Sequence, residues 1–214
     1  MTGLPLILLL AAQESVAASH GNGSELSAST DDSYLTKIWH GEVGRGFKGN
    51  TKSFEMRLGR AFGTTSTGSN NAHDLWFTEL QFGLILADVM EPDHWFGGNI
   101  EGLGKIIAAA QERPHSAYLF ALNGGLRYHF RTGTRIVPYL GGNIGIGITD
   151  ISDDDASGKF QFNQQAGVGL RYFFDPQTAL VVDYAYWHVS NAGIREPNDG
   201  VNCHNFTVGI SWLF

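Results

Sequence analysis

The sequence has a single cysteine, no excess of positive charge and no long apolar run beyond its first residues. Cys203 is the only cysteine among 214 residues, which excludes an intrachain disulfide and any metal site built from several thiolates. The net charge of -7 leaves no polybasic surface, so nucleic acid is not an expected partner. Downstream of the amino terminus, no stretch reaches the ~20 apolar residues that a transmembrane helix requires.

The amino-terminal segment has the composition of a targeting sequence. Residues 4–12 form an apolar core that is followed by small residues, although the usual basic residues are missing at its start. This pattern predicts a signal peptide at residues 1–18, with a short buried helix as the alternative. Residues 19–52 are predicted to be a polar, partly disordered lead-in. Within that lead-in, residues 36–47 could form an additional strand.

The rest of the chain alternates between apolar residues and polar or very small ones. In residues 160–172, apolar side chains occupy every second position except at Gln164, and Gln, Asn, Gly and Arg fill the positions between. A soluble antiparallel sheet alternates as well. However, several of these segments reach a dozen residues or more, enough to cross a membrane when tilted. The polar face is also richer in Gly, Gln and Asn than in charge, which favours a membrane barrel over a soluble sandwich.

Counting alternating segments back from the carboxyl terminus gives eight strands. They are predicted at 53–63, 74–88, 94–109, 117–130, 135–149, 159–174, 178–190 and 204–214. An even number of strands is required if both termini lie on the periplasmic side. The last segment, NFTVGISWLF, resembles the closing strand of bacterial outer-membrane barrels, whose terminal Phe is read by the barrel assembly machinery. The predicted fold is therefore an all-β, eight-stranded antiparallel transmembrane β-barrel at residues 53–214, in the bacterial outer membrane.

His188 and Ser190 interrupt the apolar face of the seventh predicted strand at its extracellular end. Residues i and i+2 of a strand point to the same side, so the serine hydroxyl can donate a hydrogen bond to the imidazole. That geometry suits a nucleophile and its general base. The sequence H-x-S also occurs without any function, so the pair is either catalytic or the polar end of a strand.

A resemblance to a known family assigns roles to this pair. The segment YWHVSNAGIREPNDGVN, residues 186–202, closely resembles the end of PagL-type lipid A 3-O-deacylases, which are outer-membrane barrels of the wider acyloxyacyl-hydrolase-like family. The resemblance implies a serine esterase that removes the 3-O-linked acyl chain of lipid A. It implies that Ser190 is the nucleophile and His188 the general base, with the oxyanion site among Asn191, Gly193 and Asn198.

The chain departs from the family pattern at Asn202. The best-known deacylases place a glutamate there, fourteen positions after the histidine, to orient the imidazole. Asn202 could serve through its side-chain carbonyl, as asparagine does in Cys–His–Asn proteases. Alternatively, Glu196 or Asp199 could orient the histidine, or the protein could be an inactive relative. Outer-membrane phospholipase A is similar in having an asparagine after its H-x-S pair, so a phospholipase is the alternative enzyme and an adhesive or structural barrel the non-enzymatic one.

No cofactor and no metal are expected for this chemistry. His188 with His204, or the acidic segment 150–158, could in principle contact a cation, but polar residues in loops usually have no ligand. The expected partners are lipid A in lipopolysaccharide, the outer-membrane lipid bilayer and the barrel assembly machinery. The sequence leaves open whether the barrel forms a homodimer.

Overall fold

The computed structural model describes residues 48–91 and 94–214 as a closed eight-stranded barrel. The predicted signal peptide and nearly all of the lead-in, including residues 36–47, lie outside these ranges and stay predictions. The strands are β1 Lys52–Gly63, β2 Asp74–Ile85, β3 Gly98–Arg113, β4 Ala117–Phe130, β5 Ile136–Thr149, β6 Phe160–Phe173, β7 Thr178–Ser190 and β8 Val201–Leu213. Each strand pairs antiparallel with its sequence neighbours, and β8 closes the barrel on β1. The predicted fold class is confirmed.

Three strands, β2, β3 and β8, have bounds that differ from the prediction by three or four residues. β3 begins at Gly98 and ends at Arg113, four residues later at each end than predicted. Most of the expected external loop AAQERPHS is therefore strand. The reason is backbone pairing with β2, where Ala110 lies opposite Trp76. A short run of alanines has little strand preference of its own, so tertiary pairing decides its conformation. Likewise, β2 ends at Ile85 and β8 begins earlier than predicted, at Val201.

Large apolar side chains cover the outer wall, and the interior is filled. Leu122 and Ile144 are typical outward residues, exposing 60% and 69% of their surface. Inside, one apolar cluster lies near each end of the barrel. Trp187 and Leu119 belong to the larger of these two clusters. Buried charged residues are also paired within the lumen. Filling of the lumen by side chains is expected for a barrel of eight strands.

The first residue of β1 and the last residue of β8 lie at one end of the barrel, and three loops meet at the opposite end. This is the extracellular end when both termini are periplasmic. They are the β1–β2 loop at 64–73, the β5–β6 loop at 150–159 and the β7–β8 loop at 191–200. The N–H of Gly200 donates to the carbonyl of Asp155 at 2.7 Å, which joins the last two loops. His188, Ser190 and Asn202 lie at the strand ends beside this junction, and the expected oxyanion residues and alternative carboxylates lie in the β7–β8 loop. Within the described residues, no helix is long and apolar enough to cross a membrane.

Candidate active site

His188 lies between Ser190 and Asn202 on the outer wall of the barrel. Ser190 is two residues further along β7, and Asn202 is the direct register partner of His188 on β8. The imidazole Nδ1 is 2.7 Å from Asn202 Oδ1, and its Nε2 is 3.0 Å from Ser190 Oγ. Strand pairing thus brings the three residues into one hydrogen-bonded chain. His188 and Ser190 remain partly exposed, whereas Asn202 is buried.

The orientation of the Asn202 amide follows from its other contacts. Its Nδ2 donates to Ser69 Oγ at 2.9 Å and faces the Thr67 carbonyl oxygen, which can only accept, at 3.4 Å. Its Oδ1 accepts from the Tyr186 hydroxyl at 2.9 Å. Reversing the amide would place its own oxygen against the carbonyl oxygen of Thr67. Oδ1 therefore faces the imidazole of His188. The ring proton therefore lies on Nδ1, and Nε2 is left to accept the proton of the serine.

Gly200 packs directly against the imidazole. Its backbone has a φ of +91°, a conformation that side chains other than glycine rarely adopt. A methyl group at this position would lie 2.6 Å from Cε1 of His188. Glycine is therefore required both by the turn and by the close approach of the loop to the histidine.

Asn191, one of the expected oxyanion residues, is buried and holds the β7–β8 loop together. Its Nδ2 donates to the carbonyl oxygens of Ser157 at 2.9 Å and Arg195 at 2.7 Å. Its backbone N–H donates at 2.8 Å to Oδ1 of Asn198, a second expected oxyanion residue. Both donors of the Asn191 side chain are therefore occupied by the loop. The Nδ2 group of Asn198 remains a candidate donor.

The backbone after the serine presents two further N–H groups. Ala192 and Gly193 both have left-handed backbones, with φ of 55° and 78°. None of the hydrogen bonds found among the described residues uses the N–H of either one. Ala192 also lines a groove together with Ser190. The structure thus leaves donors available at Gly193, one of the expected positions, and at its neighbour.

The two alternative carboxylates do not occupy the position beside the imidazole. The carboxylate of Asp199 accepts from Asn70 Nδ2 at 2.6 Å, and its backbone N–H contacts the carbonyl of Asp154. Glu196 is exposed in the same loop. Nδ1 of His188 contacts Asn202 instead.

His204 belongs to an aromatic cluster on the outer wall, and its hydrogen bond is to Tyr184, not to His188. Its Nδ1 is 2.8 Å from the Tyr184 hydroxyl, and the two rings stack. Its ring also meets Tyr186 edge-on. These contacts give His204 a role in packing between β7 and β8.

The carboxylate of Asp155 joins the β1–β2 loop to the β5–β6 loop. It accepts from the backbone N–H groups of Asn70 and Asn71, and from His73 Nε2 at 2.9 Å. Burial opposes its ionisation, but these hydrogen bonds hold the pKa of Asp155 below its usual value. His73 and Asp155 also lie with Asp153 in a group spaced closely enough to contact a cation. Protein hydrogen bonds already use both oxygens of Asp155, so loop anchoring accounts for its arrangement.

Two grooves on the lipid-facing wall meet at His188. One has a volume of about 810 Å³ and follows outward-facing small residues, among them Gly124, Gly142 and Ala166. The other, of about 440 Å³, extends past Ser190. A methyl group at Gly124 would meet a single atom, 4.0 Å away, so this glycine is not required for strand packing. The small residues instead leave a depression in a wall that otherwise carries large side chains.

Gln164 is the polar exception in the apolar face of β6. It is the register partner of His188 on the side opposite Asn202, and it lines both grooves. The sequence marked this residue as out of pattern, and the structure shows that its polarity coincides with the site.

Sequence reasoning missed the residues that hold Asn202. Ser69 and Thr67 belong to the segment GTTSTGSNN, where several hydroxyl residues follow one another without a periodic pattern. The family resemblance gave no role to Tyr186, the first residue of the segment 186–202. Its position two residues before His188 on the same face was the one available signal that it could contact the site.

Comparisons with known proteins identify the family of this chain. The family model described as Lipid A 3-O-deacylase (PagL) matches residues 78–211, more than half of the chain. The curated lipid A deacylase PagL of Pseudomonas aeruginosa is 30% identical over 115 residues, which span 52% of this chain and 56% of that protein. The aligned region thus covers little more than half the length of this relative.

Two solved structures show the same fold at low sequence identity. The crystal structure of the outer membrane enzyme PagL has a TM-score of 0.52 and 18% identity, covering 72% of this chain and 97% of that one. Neisserial surface protein A has a TM-score of 0.54 and 15% identity, covering 76% and 97%. These likenesses concern the barrel alone, whereas the family model also spans the segment with the hydrogen-bonded triad. The chain belongs to the lipid A 3-O-deacylase (PagL) family.

Proposed function

We propose that this protein is a serine esterase of the outer membrane that hydrolyses the 3-O-linked acyl chain of lipid A. The observation that carries the proposal is the hydrogen-bonded chain from Ser190 through His188 to Asn202, on the lipid-facing wall at one end of the barrel. Family membership supplies the substrate class. An interfacial site suits this substrate, because the acyl chain can stay in the leaflet while its ester reaches the loops.

The geometry supports a two-step acyl transfer. Ser190 Oγ attacks the ester carbonyl carbon while His188 Nε2 takes its proton. Collapse of the tetrahedral intermediate breaks the bond to the sugar oxygen, which leaves with the proton from Nε2. Water then attacks the acyl-enzyme and loses a proton to Nε2. Collapse of this second intermediate breaks the bond to Ser190 Oγ, which takes the proton from Nε2 as the free fatty acid departs. In every step, Asn202 Oδ1 accepts a hydrogen bond from Nδ1 of His188 and so keeps one ring proton there.

The oxyanion is assigned to backbone donors after the nucleophile. The N–H groups of Ala192 and Gly193 are the candidates, because the loop's own hydrogen bonds do not use them. Nδ2 of Asn198 is a third candidate. In this assignment Asn191 acts by holding the loop, since its side-chain donors bind the carbonyls of Ser157 and Arg195.

The larger outer groove is the proposed position of the scissile acyl chain. It begins at His188 and Tyr186 and continues over Ala166 and Gly142, where the missing side chains leave room on the wall. A chain lying there is shielded on one side by protein and on the other by lipid. The ester carbonyl then lies beside the nucleophile without the whole substrate leaving the membrane.

Mass spectrometry of lipid A from cells that express the chain tests this function. We expect the loss of one hydroxyacyl group when Ser190 is intact and no loss in Ser190→Ala, with both proteins present at equal levels in the outer membrane. Ser211→Ala is a matched control, because Ser211 is a buried serine of the lumen whose Oγ has no hydrogen-bond partner in the described structure. Release of lysophospholipid would instead indicate a phospholipase, and unchanged lipids in every sample would contradict an enzymatic role.

A further inference from the structure

The asparagine at position 202 raises a problem that a carboxylate would not. The two oxygens of a carboxylate are equivalent acceptors, whereas the two ends of an amide are an acceptor and a donor. If the amide of Asn202 turned by half a rotation, Nδ2 would face His188. The imidazole would then have to accept at Nδ1 and carry its proton on Nε2, where it is unable to act as a base toward Ser190.

Ser69 is placed to prevent that rotation. It is 4% exposed, and its Oγ lies 2.6 Å from the carbonyl oxygen of Gly200, which can only accept. The hydroxyl proton is therefore directed at Gly200, and the lone pairs of Oγ face Asn202. They accept from Nδ2 of Asn202 at 2.9 Å and from its backbone N–H at 3.0 Å. A reversed amide would place its oxygen against these lone pairs.

Tyr186 contacts the other end of the amide. Its hydroxyl donates to Oδ1 of Asn202 at 2.9 Å and lies 2.6 Å from Oγ1 of Thr67. Since the Tyr186 proton is directed at the amide, Thr67 supplies the proton of the second bond. The contact between Tyr186 and Asn202 is more exposed than the contact between Ser69 and Asn202. Of the two acceptors that face Nδ2 of Asn202, the Thr67 carbonyl is the more distant, at 3.4 Å. Ser69 is thus the buried acceptor with the shortest contact to Nδ2.

The position of Ser69 is itself held by the loop junction. The next two residues, Asn70 and Asn71, donate their backbone N–H groups to Asp155, which also accepts from His73. The Asp155 carbonyl in turn accepts from the N–H of Gly200, the residue whose own carbonyl receives the Ser69 proton. The hydroxyl is therefore held between two loops that are joined to each other.

We propose that Ser69 is a positioning residue that selects the catalytic tautomer of His188 by fixing the orientation of the Asn202 amide. The proposal rests on the function proposed above, but the tautomer it concerns can be observed whether or not the protein deacylates lipid A. It also predicts that Ser69 matters only while residue 202 is an amide, because a carboxylate has no incorrect end.

Nitrogen NMR of the histidine side chains in the full barrel in detergent provides the first test. The signal of His188 is assigned by its loss in His188→Gln. We expect the Nδ1–H tautomer in the unaltered protein and a growing share of the Nε2–H tautomer in Ser69→Ala. Ser66→Ala is the matched control, because Ser66 lies on the same loop and contacts Thr64 instead. An unchanged tautomer in Ser69→Ala would overturn the proposal, even if lipid A proved not to be the substrate.

A double-mutant cycle provides the second test. We expect Ser69→Ala to lower kcat about tenfold with little change in KM, the effect of losing one orienting hydrogen bond. In the Asn202→Asp background the same substitution should change kcat by less than about twofold. An equal loss in both backgrounds would mean that Ser69 acts by shaping the loop, which contradicts the proposal. If no variant is active on lipid A while the tautomer shifts as expected, the proposed function fails and the positioning role stands.

Discussion

The lumen and the outer site both contain buried polar groups, but they satisfy them differently. In the lumen, Arg127 and Arg171 contact Glu55 and Glu101, with Arg127 Nη1 2.8 Å from Glu55 and Arg171 Nη2 3.1 Å from Glu101. Full charges are paired there, away from lipid and solvent. At the outer site a histidine is hydrogen-bonded to a serine and an asparagine, and His188 and Ser190 stay partly exposed. The ion pairs of the lumen are closed off inside the barrel, whereas the outer site leaves the proposed nucleophile, Ser190, partly exposed.

The comparison teaches that partial exposure, and not polarity itself, distinguishes the proposed nucleophile and base from the polar groups of the lumen. Removing a lumen charge leaves its partners buried without compensation, which costs folding free energy. Disturbing the outer site changes the position of a few atoms that few other residues depend on. Substitutions in the two regions should therefore separate stability from activity.

The largest effect is expected in the lumen. Arg171→Met removes one of the two arginines that contact both Glu55 and Glu101, and breaking a buried ion pair typically costs about 3–5 kcal/mol. We expect the free energy of unfolding to fall by an amount in this range, measured by urea denaturation in detergent or lipid vesicles. The folded fraction should keep its deacylase activity. A loss of activity at unchanged stability would break the distinction between the two regions.

An intermediate effect is expected where the loop meets the histidine. Gly200→Ala places a methyl group 2.6 Å from Cε1 of His188, so the ring must move out of line with Ser190. Since small displacements of catalytic groups can cost about a hundredfold in rate, we expect kcat to fall on that order. Gly133→Ala is the control, because Gly133 also has a positive φ but an added methyl group there meets nothing within 4 Å. Equal activity losses in the two variants would rule out a specific collision with His188.

The smallest effect is expected in the groove. Gly142→Leu should fold, since the Cβ would meet its nearest atom, the carbonyl oxygen of Gln165, at an ordinary 3.4 Å. The larger side chain would occupy part of the groove, so we expect KM for lipid A to rise about fivefold with kcat nearly unchanged. This is the pattern expected when the bound substrate and the transition state lose the same binding energy. Val168→Leu enlarges an exposed residue of the same wall outside that groove and serves as the control. If both variants raise KM equally, the acyl chain does not lie in this groove.

Much of the fold was predictable because strand alternation is a local property. The bounds of β4 and β7 agree with the prediction, and both strands carry large apolar residues along most of their outward face. β3 was misplaced by four residues at each end, because its alanines and polar residues carry no strong periodic signal. Pairing with β2 and β4 supplies the backbone hydrogen bonds that decide its extent.

The candidate site was predictable in part for the same reason. His188 and Ser190 share a face by strand geometry alone, and the family resemblance pointed to Asn202. The residues that orient Asn202 could not be predicted, because Ser69 lies 133 positions away in the sequence and contacts it through a loop. Nothing in the pattern of hydroxyl residues around Ser69 distinguishes it from Ser66.

The sequence by itself determined that this protein is a barrel with a serine and a histidine side by side on its outer wall, since both follow from the alternation of neighbouring residues. Only the tertiary structure decided which end of the Asn202 amide faces His188, and hence which imidazole nitrogen is free to act as a base. The physical reason is that this choice depends on acceptors and donors from Ser69, Thr67 and Tyr186, which barrel closure and loop packing bring to one point.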